Sequence, residues 1–341
     1  MSGGVDSSVA AYLMLAQGYD CLGATMRLLD NRGSDEIASA RAICERLGIS
    51  FHEFDLAEEF RAAVIDKFVA VYQGGGTPNP CIDCNRHLKF GELLKRASAI
   101  GADKIATGHY VRVTYDENRG RYLLKKAIDE MKDQSYFLYT LTQSQLSRVA
   151  FPLGEYRKPE IRTIAAAQGF GNADKSDSQD ICFIPDGDYA AFIEEHSGVT
   201  CPQGDFVDTR GNVLGRHNGV IRYTVGQRRG LGLALPYPMY VSDKNALTNT
   251  VTLCDDVSAL CVDCLTADEF NWIAFDAPAV GVKIQVKAKF RYNQREQNAT
   301  AVVTDSGRVS VVFDEPQRAV ARGQAVVLYD DDTVVGGGVV V

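Results

Sequence analysis

The chain has 341 residues, 45% of them hydrophobic and 23% charged, with a formal net charge of −8. That length allows two or three domains, the negative charge argues against a protein that coats nucleic acid nonspecifically, and no apolar stretch approaches a membrane span. Nine cysteines, an odd number scattered along the chain, do not read as a secreted disulfide framework, and with no basic-then-apolar leader the expectation is a cytoplasmic protein with reduced thiols.

The chain opens with Ser2, Gly3, Gly4, Val5, Asp6, Ser7 and Ser8 behind Met1. Two glycines let the backbone turn tightly and expose its N–H groups, and a helix over 7–17 follows, closed by Gly18. A glycine turn feeding a helix N-terminus binds anions. The Lys of the G-x-x-x-x-G-K-[ST] loop is missing, so γ-phosphate transfer fits poorly. With Asp6 available for a metal ion, the site suits a nucleotide whose pyrophosphate is held while its α-phosphate is attacked.

Helical and β-type runs then alternate: a strand over 21–28, a helix over 35–47, a strand over 51–56, helices over 58–72 and 90–100, and a short apolar strand over 104–107. This predicts an α/β domain, a parallel sheet with helices on both faces. Ligands in such sheets collect at the carboxyl ends of strands, where Gly108-His109 falls beside the glycine loop.

Between the last two helices stands Thr77-Pro78-Asn79-Pro80-Cys81-Ile82-Asp83-Cys84-Asn85, after three glycines. A Cys near a helix N-terminus has its thiolate favoured by the dipole. Cys-x-x-Cys leaves redox chemistry, a metal site or two unrelated thiols open. Cys182, in Ser178-Gln179-Asp180-Ile181-Cys182-Phe183, sits in an equally polar setting, whereas Cys21, Cys44 and Cys254 read as buried inert thiols. Cys261 and Cys264 lie too far from the first pair for a zinc ribbon, and five histidines without close pairing give no metalloenzyme signature.

The pattern stays helical from about 142 to 198, then turns to short strands, with Thr209-Arg210-Gly211-Asn212 and Asp305-Ser306-Gly307-Arg308 marking hairpins. The expected domains are 1–199, nucleotide-binding and catalytic; 200–268, a small linking domain; and 269–341, a C-terminal β-barrel. Basic residues gather at 119–132, 222–229 and 283–295, which permits a polyanion on one side.

The motifs SGGVDSS, TPNPCIDCN, ATGHY, KDQSYFLY, KSDSQDICFI, TVGQRRGLG, Arg291-Tyr292 and a closing GGG span nearly the whole chain. The first carries the S-G-G-x-D-S signature of the PP-loop ATP pyrophosphatases. The full set, in this order, resembles the bacterial tRNA-specific 2-thiouridylases of that superfamily. The resemblance implies replacement of O2 of the wobble uridine of tRNA by sulfur, with ATP and Mg²⁺ as cofactors. Oxide is a very poor leaving group, so ATP would convert O2 to an adenylate, releasing pyrophosphate, and AMP would leave as sulfur arrives from a cysteine persulfide.

By this resemblance Cys182 would hold the persulfide, handed over by a cysteine desulfurase or sulfur-relay protein. Cys84 would attack its inner sulfur, leaving a Cys84–Cys182 disulfide for a reductant to reset. Ser2, Gly3, Gly4, Val5, Asp6, Ser7, Ser8, Met26 and Gly108 would contact ATP. Asn79, Pro80 and Cys81 would touch the target base, with His109, Lys132, Asp133 and Gln134 on the RNA nearby. Arg291, Tyr292 and Gln324 would grip the anticodon stem through phosphate charge and base stacking.

Two departures stand out. Cys81 occupies a place where many members carry an Asp with an acid/base part. Three thiols, Cys81, Cys84 and Cys182, would also suit a [4Fe–4S] cluster with one iron free to carry sulfide. The loop of this fold also follows a central strand, so Met1 is expected to be an internal methionine preceded by about ten residues rich in Val and Ile. The alternatives are a PP-loop ligase passing ammonia to a carbonyl, which needs no thiol pair, and a non-catalytic tRNA-binding protein on the same scaffold.

Overall fold

A computed structural model of the chain describes residues 1–29, 34–171, 181–235, 237–305 and 307–341. The polar residues 172–180 that precede Cys182, and Ser306 of the last hairpin signal, lie outside the described residues.

The first part is α/β. Helix α1 (Val5–Ala16) starts two residues earlier than the sequence suggests, because Gly3 at φ +68° completes the turn inside the loop and Gly4 is already extended at the N-cap. Strands β1 (Leu22–Arg27) and β2 (Ser50–Asp55) pair in parallel, Leu22 with Ser50 through Arg27 with Asp55, across the crossover helix α2 (Ser34–Leu47). Met1 N donates to Ala24 O and Thr25 Oγ1 to Met1 O (2.7 Å), so the glycine loop starts alongside β1. Strand β3 (Ile105–Ala106) is followed by a hairpin of β4 (Val111–Asp116) and β5 (Arg121–Lys126), then by β6 (Val149–Ala150), which returns to pair with β3 in parallel.

The helix expected over 90–100 is the second half of a longer one. Pro80–Asp83 are α-helical, Cys84–Glu92 widen to π geometry, and Leu93–Ala99 return to α. Asn79 caps this helix by accepting from Cys81 N (3.2 Å), and Pro80 takes the first position, where no N–H is needed.

The middle part carries a four-stranded sheet in the order β8-β7-β10-β9, from β7 (Gly204–Val207), β8 (Val213–His217), β9 (Tyr240–Asn245) and β10 (Thr250–Cys254). Gly211, at φ +87°, makes its expected hairpin turn. Six antiparallel strands follow: β11 (Cys261–Trp272), β12 (Lys283–Lys289), β13 (Gln297–Asp305), β14 (Arg308–Arg318), β15 (Ala325–Asp330) and β16 (Thr333–Val340). They close into a barrel through a β11–β16 pairing. Small Ala299 and Ala301 face inward beside Phe290 and Phe313, so bulk alternates with space in the narrow interior.

The β4–β5 hairpin, which the sequence does not announce, joins this barrel sheet where Lys125 pairs with Thr333. The first part and the barrel thereby share one core, in which Tyr136, Leu138 and Tyr139 pack with Ala325, Val327, Tyr329 and Val334. Tyr136 OH donates to Ala325 O (2.9 Å), and Asn271 Nδ2 donates to Tyr139 O (2.7 Å). The middle one of the closing glycines is explained by the same contact: a Cβ on Gly337 would lie 2.6 Å from the Tyr139 ring, whereas one on Gly336 or Gly338 would meet Phe270 and backbone oxygens of β11. No helix of the described residues is long and apolar enough to cross a membrane.

Candidate active site

The glycine loop is built to leave its amides outward. Ser7 Oγ and Ser8 Oγ both fold back onto Gly4 O (3.0 Å each), and Gly4 at the N-cap has no side chain with which to cap α1. The first-turn N–H groups and the helix dipole therefore converge at an anion position. Ser2 N and Ser2 Oγ reach Ser7 Oγ (3.1 and 3.2 Å), which closes the loop on itself. Gly108 arrives at the end of β3 so close that a Cβ would lie 2.8 Å from Asp6 C and 2.9 Å from Ser7 N. Only glycine fits there. Met26, near the carboxyl end of β1, leans on the apolar cluster that also contains Cys84, Phe183 and Ile184.

Asp6 has partners the sequence does not reveal. Its carboxylate accepts from Lys158 Nζ at both oxygens (2.9 and 2.8 Å) and from Tyr110 OH (2.8 Å). Lys158 begins the helix Lys158–Ala167, and its side chain is 9% exposed.

The next residue after Gly108 links this loop to the thiols. His109 Nδ1 pairs with Thr107 Oγ1 (2.7 Å), and its Nε2 lies 3.4 Å from Lys89 Nζ. Burial, then the Lys89 charge, hold the His109 pKa well below its ordinary value, so the ring is neutral. Lys89 stands five residues after Cys84 inside the π segment. In that geometry residues five apart are hydrogen-bonded neighbours, as Leu93 N to Leu88 O shows, so Lys89 stacks over the Cys84 turn rather than rotating away from it.

The structure reverses one expectation about the thiols. A helix N-terminus should favour thiolate at Cys84, yet burial dominates and pushes the Cys84 thiol up, opposed by Lys89. Cys81 is raised by burial against the same lysine. Cys182 is pushed up to about 11, first by burial and then by Cys84 and Cys81, so the three thiols share one neighbourhood. Cys81 and Cys182 keep accessible surface while Cys84 is buried, and all nine cysteines are free. Among the described residues no group of three His, Cys, Asp or Glu is placed to hold a metal ion, so the arrangement gives a [4Fe–4S] cluster on Cys81, Cys84 and Cys182 no support.

All three parts of the chain meet at the segment that leads to these thiols. Lys244 Nζ from β9 reaches Gly76 O (3.5 Å), and Thr77 N donates to Arg322 O (2.8 Å) from the barrel. Asn79, Pro80 and Cys81 follow directly.

The residues expected on RNA divide into two groups. Asp133 is buried, and its carboxylate accepts from Ala127 N (3.1 Å), Ser135 N (3.2 Å) and Ser135 Oγ (2.7 Å), so it braces a turn. Gln134 exchanges hydrogen bonds with the Tyr110 backbone, which fixes the chain next to His109. Lys132, half-buried, lies on the same turn, with its N–H donating to Asp129 O (3.0 Å).

Arg291 and Gln324 instead line a cleft of about 420 Å³ between the middle part and the barrel, with Thr224, Gln227, Arg318 and Ala319 on its walls. Its lining holds two arginines and no carboxylate. Arg291 donates to Ala319 O, whose residue is held at φ +58°, and Gln324 Oε1 is buried without a partner. Tyr292 leans on Phe137, ring centroids 4.5 Å apart. Lys89, Tyr110, Lys158 and Arg318 are the residues that sequence reasoning passes over; of these only Tyr110, which closes the ATGHY motif, stands inside a stretch that the sequence singles out.

Residues 1–186 match the family described as the tRNA methyl transferase HUP domain, 190–255 the tRNA methyl transferase PRC-barrel domain, and 262–340 the aminomethyltransferase beta-barrel domain. Among curated proteins, the chain is 45% identical to the tRNA-specific 2-thiouridylase MnmA of Clostridioides difficile, an alignment covering 100% of this chain and 96% of that protein. The MnmA proteins of Acetivibrio thermocellus and Lachnoclostridium phytofermentans are 46% and 47% identical, again over 100% of this chain and over 97% and 98% of theirs. Similarity of this degree from end to end, on a phosphate loop joined to a cysteine helix and a closed barrel, makes the chain a member of the tRNA-specific 2-thiouridylase family.

Proposed function

We propose that the protein thiolates the wobble uridine of tRNA at position 2, using ATP to activate O2 and a cysteine persulfide to supply sulfur. The observation that carries the reading is the Gly108-His109 dipeptide. Its glycine packs on the phosphate loop, and its histidine meets the lysine stacked over Cys84.

ATP fits the loop on two structural grounds: a glycine N-cap that brings no side chain to the start of α1, and a cradle at Gly108 that any Cβ would fill. Mg²⁺ fits the donor chemistry, one carboxylate at Asp6 completed by phosphate oxygens, and would neutralise charge on those phosphates. Ser2 through Ser8, Met26 and Gly108 bind the nucleotide. Asn79, Pro80 and Cys81 hold the uridine beside the helix start, with His109, Lys132 and Gln134 flanking it. Asp133 keeps their turn in shape.

Uridine O2 attacks the α-phosphorus and pyrophosphate departs. Cys84 then attacks the Cys182 sulfur that carries the persulfide, which forms the Cys84–Cys182 bond and releases the outer sulfur as hydrosulfide. Hydrosulfide adds at C2 and AMP leaves with the former O2. A dithiol reductant restores both cysteines, and a cysteine desulfurase or relay protein reloads Cys182. Because burial disfavours free thiolate, Lys89 is the group that offsets the charge on the attacking sulfur. The two-arginine cleft and Tyr292 take the anticodon stem, a phosphate at the guanidiniums and a base against the ring.

The test is incubation with ATP, Mg²⁺, a persulfide donor and unmodified tRNA, followed by nucleoside mass spectrometry. The expected product is uridine with one oxygen exchanged for sulfur. Activity that survives Cys84→Ser with Cys182→Ser would move the protein to an amide-forming ligase, and methylated uridine dependent on a methyl donor would favour the activity in the matched family's description.

A further inference from the structure

Lys289 closes β12, where it pairs with Val327 of β15. Its neighbours in sequence, Ala288 and Phe290, belong to the barrel interior, so the alternation of the strand turns Lys289 outward onto the core that the barrel shares with the first part. That face is covered, and the residue is 8% exposed. Burial lowers the Lys289 pKa, against the pull of Asp133 and Glu296. Both carboxylates already serve other donors: Asp133 braces its turn, and Glu296 pairs with Lys126 (2.6 Å). Among the described residues no hydrogen bond or ion pair holds the Lys289 ammonium. It sits instead among three rings, 5.7 Å from the centroid of Tyr136, 5.8 Å from that of Tyr292 and 5.4 Å from that of Tyr329. A desolvated cation at such distances is attracted by the electron-rich ring faces.

The three rings are not held alike. Tyr136 OH donates to Ala325 O (2.9 Å), and Tyr329 OH shares a hydrogen bond with Ser135 Oγ (3.3 Å), both in the buried core. Tyr292 is half-buried, and among the described residues its side chain is held through the ring alone, by Phe137, Tyr136 and Lys289. Lys289 is the one charged contact of the three.

We propose that Lys289 is a positioning residue for RNA binding, which fixes the Tyr292 ring before a base arrives and ties it to the Asp133 turn. The proposal deepens the reading that Tyr292 takes a base of the anticodon stem, and rests on it. A ring already ordered costs an incoming base nothing further to immobilise, so loss of the cation shows as weaker stacking and not as a lost phosphate contact.

The test is a double-mutant cycle of Lys289→Met and Tyr292→Leu, read by filter binding of tRNA across salt concentrations and by calorimetry with ATP. Lys289→Met should weaken tRNA binding by roughly threefold to tenfold. In the Tyr292→Leu background the same substitution should cost less than about twofold, because the two side chains act as one unit. ATP affinity and the slope of log K against log salt should stay as in wild type. Equal losses in the two backgrounds, or no loss in either, overturn the proposal. So does a parallel fall in ATP affinity, the mark of a merely structural part, or a slope shallower by about 0.7 to 0.9, which would make Lys289 a phosphate ligand. Should Lys289→Met fail to fold, a crystal structure of the wild type with an anticodon stem-loop decides: a base stacked on Tyr292 with Lys289 Nζ still within about 6 Å of the ring centroid supports the proposal, and a stacked ring swung away from Lys289 refutes it. Wild-type protein that binds no tRNA, or a Tyr292→Leu variant that binds it as wild type does, sinks the Tyr292 reading itself, and this proposal with it.

Discussion

Lys89 Nζ lies 3.4 Å from His109 Nε2, joining the helix of the cysteines to the strand end that touches the phosphate loop. This one lysine lowers the charge cost at Cys81, Cys84 and Cys182 together. Lys89→Met should therefore raise all three thiol pKa values further. Alkylation at pH 8 to 9, which reports thiolate, should slow by roughly threefold to tenfold, since each pKa unit is a factor of ten. An unchanged alkylation rate would remove Lys89 from the thiol chemistry.

The raised thiols also set a direction for stability against pH. The Cys182 pKa stands near 11 in the folded chain against an ordinary value of 9.0, so between those values the folded state binds more protons than the unfolded state. The contribution is complete below pH 9 and is lost as pH rises toward 11. Urea midpoints measured from pH 8 to 11 should fall less steeply for Cys182→Ser than for wild type.

Gly108→Ala places a methyl 2.8 Å from the Asp6 backbone. Forced shifts of this kind cost about 1–3 kcal/mol. The displacement falls on the loop itself, so ATP affinity should drop by more than the loss of thermal stability suggests. Calorimetry with ATP and a melting curve, run together, check both; an alanine variant that binds ATP normally would detach β3 from the nucleotide.

Arg318→Ala should weaken tRNA binding without altering ATP binding, because the cleft it shares with Arg291 lies between the middle part and the barrel. If Arg318 meets one phosphate, the slope of log K against log salt should become shallower by about 0.7 to 0.9. A filter-binding series across salt concentrations reads this directly, and an unchanged slope would assign Arg318 to packing over Tyr240, where its guanidinium sits 4.9 Å from the ring centre.

Much of the site is written locally. The glycine loop, the helix behind it and the Gly108-His109 turn are short-range features, and each holds in the structure because a positive φ or a missing Cβ is required where glycine stands. Hairpin turns at Gly211 and Gly307 are legible for the same reason. Less is legible where tertiary contact decides. Lys158 and Tyr110 are 152 and 104 residues from Asp6, and no periodicity points from one to another. The π segment at 84–92 hides Lys89, since helical patterns are read at three and four residues and not at five. The thiol bias at Cys84 comes out reversed because the dipole is visible from sequence and desolvation is not. Asp133 looks like a free carboxylate in a polar string until its turn folds around it.

The contact of Gly337 with Tyr139 fastens the barrel to the first part of the chain through a shared core. If the cleft grips the RNA and the thiols react with it, their common core makes the pair a gauge of set span. On the proposed reading, such a gauge selects substrates by length: an anticodon arm must bring its wobble base to the thiols by bending itself, and a base one nucleotide out of place falls short of them.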